Sequence, residues 1–236
     1  MKKVLIGIQC RTNSERLPGK ALMEIGGVSM IEKVVKTCIS SAKYLNSLTK
    51  YDAHSRVVLL IPHDDNKLID HMKSKVEIFE GDEDDVLKRY IDAAKTYRAD
   101  YVVRVTGDCF YIPSHTISRH IKRVVRRHCD YVNNILQRCQ PEGWDCEVLS
   151  TALLDWLHEN ARSKEDREHV TSYIPKAIES GCFPKNRFLI STATDHYDFS
   201  DIKTSIDTQE DYDRACREFE VRKLKYEKSL KLGTVF

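Results

Sequence analysis

The stretch that most constrains this chain is Val4-Leu5-Ile6-Gly7-Ile8, an apolar run that reaches Gln9 and opens into Cys10-Arg11-Thr12-Asn13-Ser14-Glu15-Arg16-Leu17-Pro18-Gly19-Lys20. An apolar run closed by polar residues and then Pro-Gly reads as a buried strand emptying into a loop at its carboxyl end. In open α/β sheets that end is where ligands bind. The loop holds three cations (Arg11, Arg16, Lys20), two hydroxyls (Thr12, Ser14) and one glycine. Such a set suits a polyphosphate, Arg binding bidentately and Lys acting as a point charge. It is not a Walker A loop, which needs glycine where Ser14 stands and Ser or Thr where Ala21 stands. No G-x-G-x-x-G follows the strand either, which disfavours the usual dinucleotide fold. The competing reading is a solvated basic loop.

Beyond the loop, strand-like and helix-like segments alternate. Met30, Ile31, Val34, Val35 and Ile39 recur at helical spacing after the Gly26-Gly27 turn, and Arg56 to Pro62 reads as a second buried strand. A short helix around Asn66 to Lys73 leads to an apolar run from Val76 to Phe79, then to a helix carrying Val86, Leu87, Tyr90, Ile91 and Ala94 on one side. Tyr101 to Val105 is a fourth strand, ending in Thr106-Gly107-Asp108. The alternation predicts right-handed crossovers and a mainly parallel sheet. At 236 residues the chain is expected to form a single α/β domain, with a smaller subregion at about 130–200. The net charge of +2 argues against a nucleic-acid or membrane partner. Eight cysteines are scattered singly with no C-x-x-C pair, and no secretory signal peptide is evident, so reduced thiols and a cytoplasmic location are expected.

Several residues carry candidate chemistry. Asp108 follows a central strand and Gly107, where backbone can approach a ligand closely, which suits a Mg²⁺ ligand facing a phosphate; a turn or cap is the plainer reading. A hard cation needs a second carboxylate, and Asp207 is the candidate, at the end of the strand-like Thr204-Ser205-Ile206 and before a helix capped by Thr208 with Asp211. Its alternative is membership of that cap. The acids of Asp82 to Asp85 suit a helix start for dipole reasons alone. Alternation over 145–149 predicts Asp145 and Glu147 on one strand face. Arg167-Glu168-His169 is either a substrate clamp or a capped ion-pair cluster. Arg119, Lys122, Arg123, Arg126 and Arg127 fit the exposed face of an amphipathic helix whose apolar side is Ile117, Ile121, Val124 and Val125.

These blocks together resemble the cytidylyltransferases that make CMP-activated acidic sugars, most of all the branch named after a spore coat polysaccharide biosynthesis protein. The loop is similar to that branch's Q-A-R-M-x-S-T-R-L-P-G-K, departing at Cys10, Thr12 and Glu15 but keeping every cation. Arg104-Val105-Thr106-Gly107-Asp108-Cys109 resembles R-V-T-G-D-C, although Phe110-Tyr111-Ile112-Pro113 replaces P-L-I-D. Gly81 to Arg89, Pro141 to Glu147, Asp166 to Thr171 and Asp207 to Asp211 resemble further blocks in the family's order, with Trp144 an uncommonly large neighbour. The resemblance implies a three-layer, Rossmann-like nucleotidyltransferase sheet of the glycosyltransferase A kind, CTP and a small anionic acceptor as substrates, Mg²⁺, and a homodimer. It assigns the triphosphate to Arg11, Arg16 and Lys20, nucleotide contacts to Gln9, Ser14, Gly81 and Arg104, and the metal to Asp108 and Asp207. Acceptor contacts fall to Asp145, Glu147, Arg167 and His169, and the 110–113 wall and Trp144 are expected to choose the acceptor. A sugar transferase of the same fold and a non-catalytic nucleotide-binding regulator are the alternatives.

Overall fold

The computed structural model describes the backbone of residues 1–231 and side chains through Leu224. The apolar run forms β1 (Lys2–Gln9). A small hairpin, β2 (Glu24–Ile25) with β3 (Val28–Ser29), precedes α1 (Met30–Asn46), followed by β4 (Ala53–Pro62), α2 (Asn66–Met72), β5 (Glu77–Gly81) and α3 (Val86–Thr96). Then come β6 (Tyr101–Thr106), α4 (Ser114–Arg127), β7 (Tyr131–Asn133), β8 (Glu147–Ser150), α5 (Thr151–Asn160), α6 (Lys164–Glu168), α7 (Tyr173–Glu179), β9 (Ile190–Thr192) and α8 (Gln209–Lys231). Helix starts fall where a short polar side chain accepts a backbone N–H two or three residues on: Ser29 for α1, Asp65 for α2, Asp85 for α3, Ser150 for α5 and Ser163 for α6.

The seven-stranded sheet runs β5-β4-β1-β6-β8-β7-β9. β5, β4, β1 and β6 are parallel, and β7 pairs parallel with β9. β8 is antiparallel to both β6 and β7, because a loop without a crossover helix returns the chain beside β7. Alternation divides each strand between two cores. Val4, Ile6 and Ile8 of β1 pack with Leu59 and Ile61 of β4 and Val103 and Val105 of β6 against α1, α2 and α4. Leu5, Val58, Leu60 and Val102 face α3, α5 and α7. The sheet is mainly parallel, as the alternation predicts, and it sits in the three-layer α/β arrangement that the resemblance implies. A third cluster joins Leu17, Ile25, Met30, Phe110, Ile206 and Ala215, tying the β1 loop to the hairpin and the start of α8.

On the α3 face, Gly7 leaves room for Tyr90, whose hydroxyl donates to the Gly7 carbonyl at 3.1 Å. A Cβ at position 7 would stand 2.7 Å from the Tyr90 ring and 2.9 Å from Leu60. Both neighbours are fully buried in the core and have no free space to move into. Gly7→Ala is expected to destabilise the fold by about 1–3 kcal/mol, an overpacking cost. Urea unfolding of the variant measures it, and an unchanged midpoint would show that the strand yields at no cost.

Candidate active site

The chain leaves β1 for β4 and β5 on one side and returns to β6 on the other, so the order reverses between β1 and β6. At the carboxyl ends of these strands lies a cleft of about 400 Å³. The β1 loop, the turn after β6, the loop between β5 and α3, and the end of α6 form its walls. This is where an open α/β sheet places its ligands.

The loop is pinned at three points. Leu17 is buried in the third cluster. The Thr12 N–H and hydroxyl donate to the Asp65 carboxylate at 2.8 and 2.9 Å, and the Gly19 N–H donates to the Thr12 carbonyl at 2.9 Å. Gly19 takes φ 72°, a left-handed conformation that glycine adopts without strain. Lys20 then turns inward, its Nζ 3.1 Å from Asp108 Oδ2, 3.0 Å from Asp207 Oδ1 and 3.1 Å from the Ile206 carbonyl oxygen. Arg16 reaches the same Asp207 oxygen at 3.0 Å, and Arg11 pairs with Glu168 at 3.1 Å. Residues distant in sequence thus meet at one ammonium group.

Asp207 is not a cap acid. Thr208 and Asp211 cap α8 reciprocally, the Asp211 N–H donating to Thr208 Oγ1 at 3.3 Å and the Thr208 N–H to Asp211 Oδ2 at 3.2 Å. That leaves the Asp207 carboxylate to Lys20, Arg16 and the Ser205 hydroxyl. The expected strand before it is absent; residues 204–207 are extended coil crossing the end of β6, with a single bridge from Lys203 to Glu142. Burial alone would raise the Asp207 pKa, but Lys20, Ser205 and Arg16 outweigh it and hold the carboxyl below 3.8. Burial likewise opposes the Lys20 charge, yet Asp108 and Asp207 carry its pKa above 10.5.

Gln9, Ser14, Arg104 and His169 line the cleft with Arg11, Arg16, Lys20 and Asp108. Arg104 is held from below, its Nε donating to Gln9 Oε1 at 3.0 Å and its Nη1 to Glu147 Oε2 at 2.7 Å. Four expectations are revised. Glu147, 1% exposed, is the buried counter-ion of Arg104 and also accepts from the Tyr131 and Thr171 hydroxyls, so it lies beneath the cleft. Asp145 precedes β8 rather than sharing a strand face with Glu147, and it forks onto Arg138. Arg167 turns from the cleft to Asp85 and to the His158 carbonyl. Gly81 is buried outside the lining, its missing side chain making room for Arg89, whose Cγ would lie 2.8 Å from a Cβ there.

The 110–113 wall is also not a wall of the cleft. Phe110 packs in the third cluster, Ile112 in the sheet core, and the Tyr111 hydroxyl reaches Glu218 of α8. Trp144 packs edge-on against His115. Gly107 lines the cleft and also leaves room for Cys10, whose Sγ would lie 2.7 Å from a Cβ there. The pKa of Cys10 is pushed up to about 12 by burial and then by Asp108 and Asp65, so its thiol stays neutral.

Glu168, named in the sequence as part of a clamp or ion-pair cluster, lines the cleft paired with Arg11; sequence reasoning missed Arg89, Glu83, Val86 and Thr106 in the lining, and Asp65 behind the loop. Arg89 is 2% exposed and donates to the Asp82 and Glu83 carbonyls, shaping the turn after β5; an arginine on the apolar side of a helix pattern is the signal that marks it. No cluster of three or more His, Cys, Asp or Glu suited to a metal occurs among the described residues. The Asp108 and Asp207 oxygens nevertheless converge within 3.1 Å of one point, the Lys20 ammonium. Asp108 lines the cleft, whereas Asp207, 6% exposed, lies behind the Lys20 ammonium outside the lining. Two carboxylates converging at the edge of the cleft suit a hard cation that takes its other ligands from phosphate and water, so the donor set fits Mg²⁺.

The cytidylyltransferase family profile matches residues 5–233, and the chain belongs to that family. It is 27% identical to the spore coat polysaccharide biosynthesis protein SpsF of Bacillus subtilis over 216 residues, 90% of this chain and 85% of that one. A cytidylyltransferase of Leptospira borgpetersenii superposes with a TM-score of 0.77 at 29% identity, covering 90% of this chain and 84% of the other. The structure of CMP:2-keto-3-deoxy-manno-octonic acid synthetase complexed with CTP shares the fold, with a TM-score of 0.65 at 16% identity over 97% of this chain and all of that one (100%).

The lowered Asp207 carboxyl makes a contribution to stability that is complete above pH 3.8 and lost as pH falls through its folded value. The raised Lys20 contribution is complete below pH 10.5 and lost above it. Asp207→Asn is therefore expected to lessen the fall in unfolding free energy between about pH 4 and pH 3, measured by urea titration. An acid limb as steep as that of the parent would place the dependence on other carboxylates.

Proposed function

We propose that the protein couples CTP to an acidic sugar, or to a phosphate or phosphonate acceptor, releasing pyrophosphate and giving a CMP- or CDP-activated product for surface polysaccharide or glycoconjugate synthesis. The observation that carries this reading is the convergence of Lys20, Arg16, Asp108 and Asp207 at the switch point of the sheet. Family membership supports the nucleotidyl transfer, the SpsF relative supports a polysaccharide role, and the CTP complex of the structural neighbour supports the nucleotide.

An acceptor oxygen attacks the α-phosphorus of CTP in line and pyrophosphate departs; such transfers depend on positioning and charge neutralisation. Arg11 and Arg16, half-buried and exposed at the rim, fold onto the triphosphate, and Lys20 meets the charge that develops on the leaving group. Arg104 and Gln9 fix the floor beneath the nucleotide, with Ser14 donating from the loop. His169, at the far side of the cleft, is placed to meet the acceptor's anionic group. Asp108 and Asp207 would hold Mg²⁺, which supplies charge neutralisation on the phosphates when bound. In this reading the chain is one catalytic unit, working in the cytoplasm as a homodimer whose 130–200 region carries the acceptor side and the subunit contact.

The test is pyrophosphate release with CTP across acidic sugars, sugar phosphates and phosphonates, with ATP, GTP and UTP as controls. Release with CTP and one acceptor class is expected, and Lys20→Ala should lower kcat by about 10²–10³. Tight CTP binding without release for any acceptor would favour the regulator or a sugar transferase. Arg167→Ala should leave the acceptor KM within about twofold, because its guanidinium is engaged by Asp85. A large rise in KM would mean that Arg167 swings into the cleft during turnover.

A further inference from the structure

Between α1 and α4, on the opposite side of the sheet from α3 and α5, lies a second groove of about 910 Å³ that shares no lining residue with the cleft. One wall is a stripe of five cations on α4, Arg119, Lys122, Arg123, Arg126 and Arg127; the other carries serines and tyrosines of α1 and the turn after it. No carboxylate occurs among its described lining residues, although the chain as a whole has a net charge of only +2.

A solvated helix face does not explain this arrangement. Spacings of three and four place the cations directly above one another, and like charges so spaced destabilise a helix. Among the described residues only Arg119 has a carboxylate partner, Asp195 at 2.6 Å. Lys122 donates to the Tyr44 hydroxyl at 3.0 Å and Arg123 to the Ser191 hydroxyl at 2.9 Å, both neutral groups. Burial and then the charges of Arg127 and Arg119 hold the Arg123 pKa down. The last two arginines suit the carboxyl end of α4 on dipole grounds, but the three in mid-helix do not.

The second observation is independent of charge. Ser41 lines the groove from α1, is 1% exposed, and its hydroxyl has no hydrogen-bond partner. Thr37, one turn earlier, bonds back to the Lys33 carbonyl; Ser41 makes no such bond. A buried hydroxyl left unpaired is costly and calls for an acceptor.

We propose that this groove is a second anion site, binding a compact ligand with two or more phosphate groups. The stripe from Arg119 to Arg127 runs about 12 Å along the helix, the scale of an oligophosphate, and the volume of the open groove is that of a small-molecule site. Arg123, Arg126 and Arg127 neutralise the phosphates, and Ser41 donates to one of them. A concave groove of this size favours a compact anion over the long, open track that a nucleic acid needs.

Calorimetric titration with inorganic tripolyphosphate tests the assignment, because both sites offer cations to that probe. The wild-type protein should show two binding events. Arg123→Gln with Arg126→Gln should lose one, and Arg16→Ala with Lys20→Ala should lose the other. Ser41→Ala should keep or raise its Tm yet bind in the groove about tenfold more weakly, the loss of one hydrogen bond to a charged group. A single event abolished by the Arg16 and Lys20 changes, or unaltered affinity in Ser41→Ala, overturns the proposal. So does oligonucleotide binding, removed by the Arg123 and Arg126 changes, that tripolyphosphate fails to displace. None of these readouts requires turnover, so failure of the groove and failure of the proposed reaction are separable.

Discussion

The Lys20 ammonium holds the functional end of the molecule together. It is reached from the loop after β1, but its two carboxylates come from the turn after β6 and from the approach to α8. Nothing in the parallel sheet by itself would bring residue 207 to residue 20. The third apolar cluster does so: Leu17, Ile206 and Ala215 pack together and carry the charged residues on either side into register. The attraction is strong because Lys20, at 14% exposure, and Asp207, at 8%, are largely removed from water, while Asp108, at 27%, faces the cleft. A buried charge set of this kind is stable only while it remains balanced. The same groups therefore constrain the fold and leave a site whose charge can be redistributed when an anion and a cation enter together.

Beneath the cleft, a second buried pair sets the floor. Arg104 and Glu147 sit opposite one another in the β6 and β8 register, on the face that otherwise packs against α3 and α5. Leaving either alone there would be costly, so Gln9, Tyr131 and Thr171 complete their hydrogen bonding. An antiparallel β8 is what brings Glu147 beside Arg104. The polar floor of the cleft thus follows from strand direction as much as from residue identity.

The layers, the order of elements and the loop-borne cations were legible in the sequence, because they rest on local patterns of period 2 and 3.6 and on the Pro-Gly end of the β1 loop. Helix α2, Asn66–Met72, falls on the helix expected around Asn66 to Lys73, since Asp65 caps it with its side chain. The direction of β8 was not legible, because alternation is the same for parallel and antiparallel strands. Nor was the fate of Glu147 and Arg167. An acidic or basic residue next to a motif reads alike whether it faces ligand or a buried counter-ion, and only the fold reveals that Asp85 and Arg104 take these partners. Arg89 was hidden for the same reason, its charge satisfied by backbone carbonyls rather than by any side chain nearby in sequence.

The departure from the family pattern at residues 110–113 acquires a different meaning once its packing is known. Phe110 fills the space among Leu17, Ile25 and Met30, and Tyr111 reaches along α8 to Glu218. Larger aromatic residues here extend the cluster that positions Ile206, and Ile206 carries Asp207. The change therefore acts on how firmly α8 and its preceding segment are held against the β1 loop. In the proposed reaction, selection of the acceptor would fall instead to the groups that line the open side of the cleft, Glu83 and Val86 from the turn after β5 and Glu168 and His169 at the end of α6. Two of these, Glu83 and Glu168, are carboxylates that disfavour an anion unless a cation intervenes, and Arg11 stands beside Glu168 at 3.1 Å. An anionic acceptor entering from this side would compete with Glu168 for Arg11, coupling its arrival to release of that arginine toward the triphosphate.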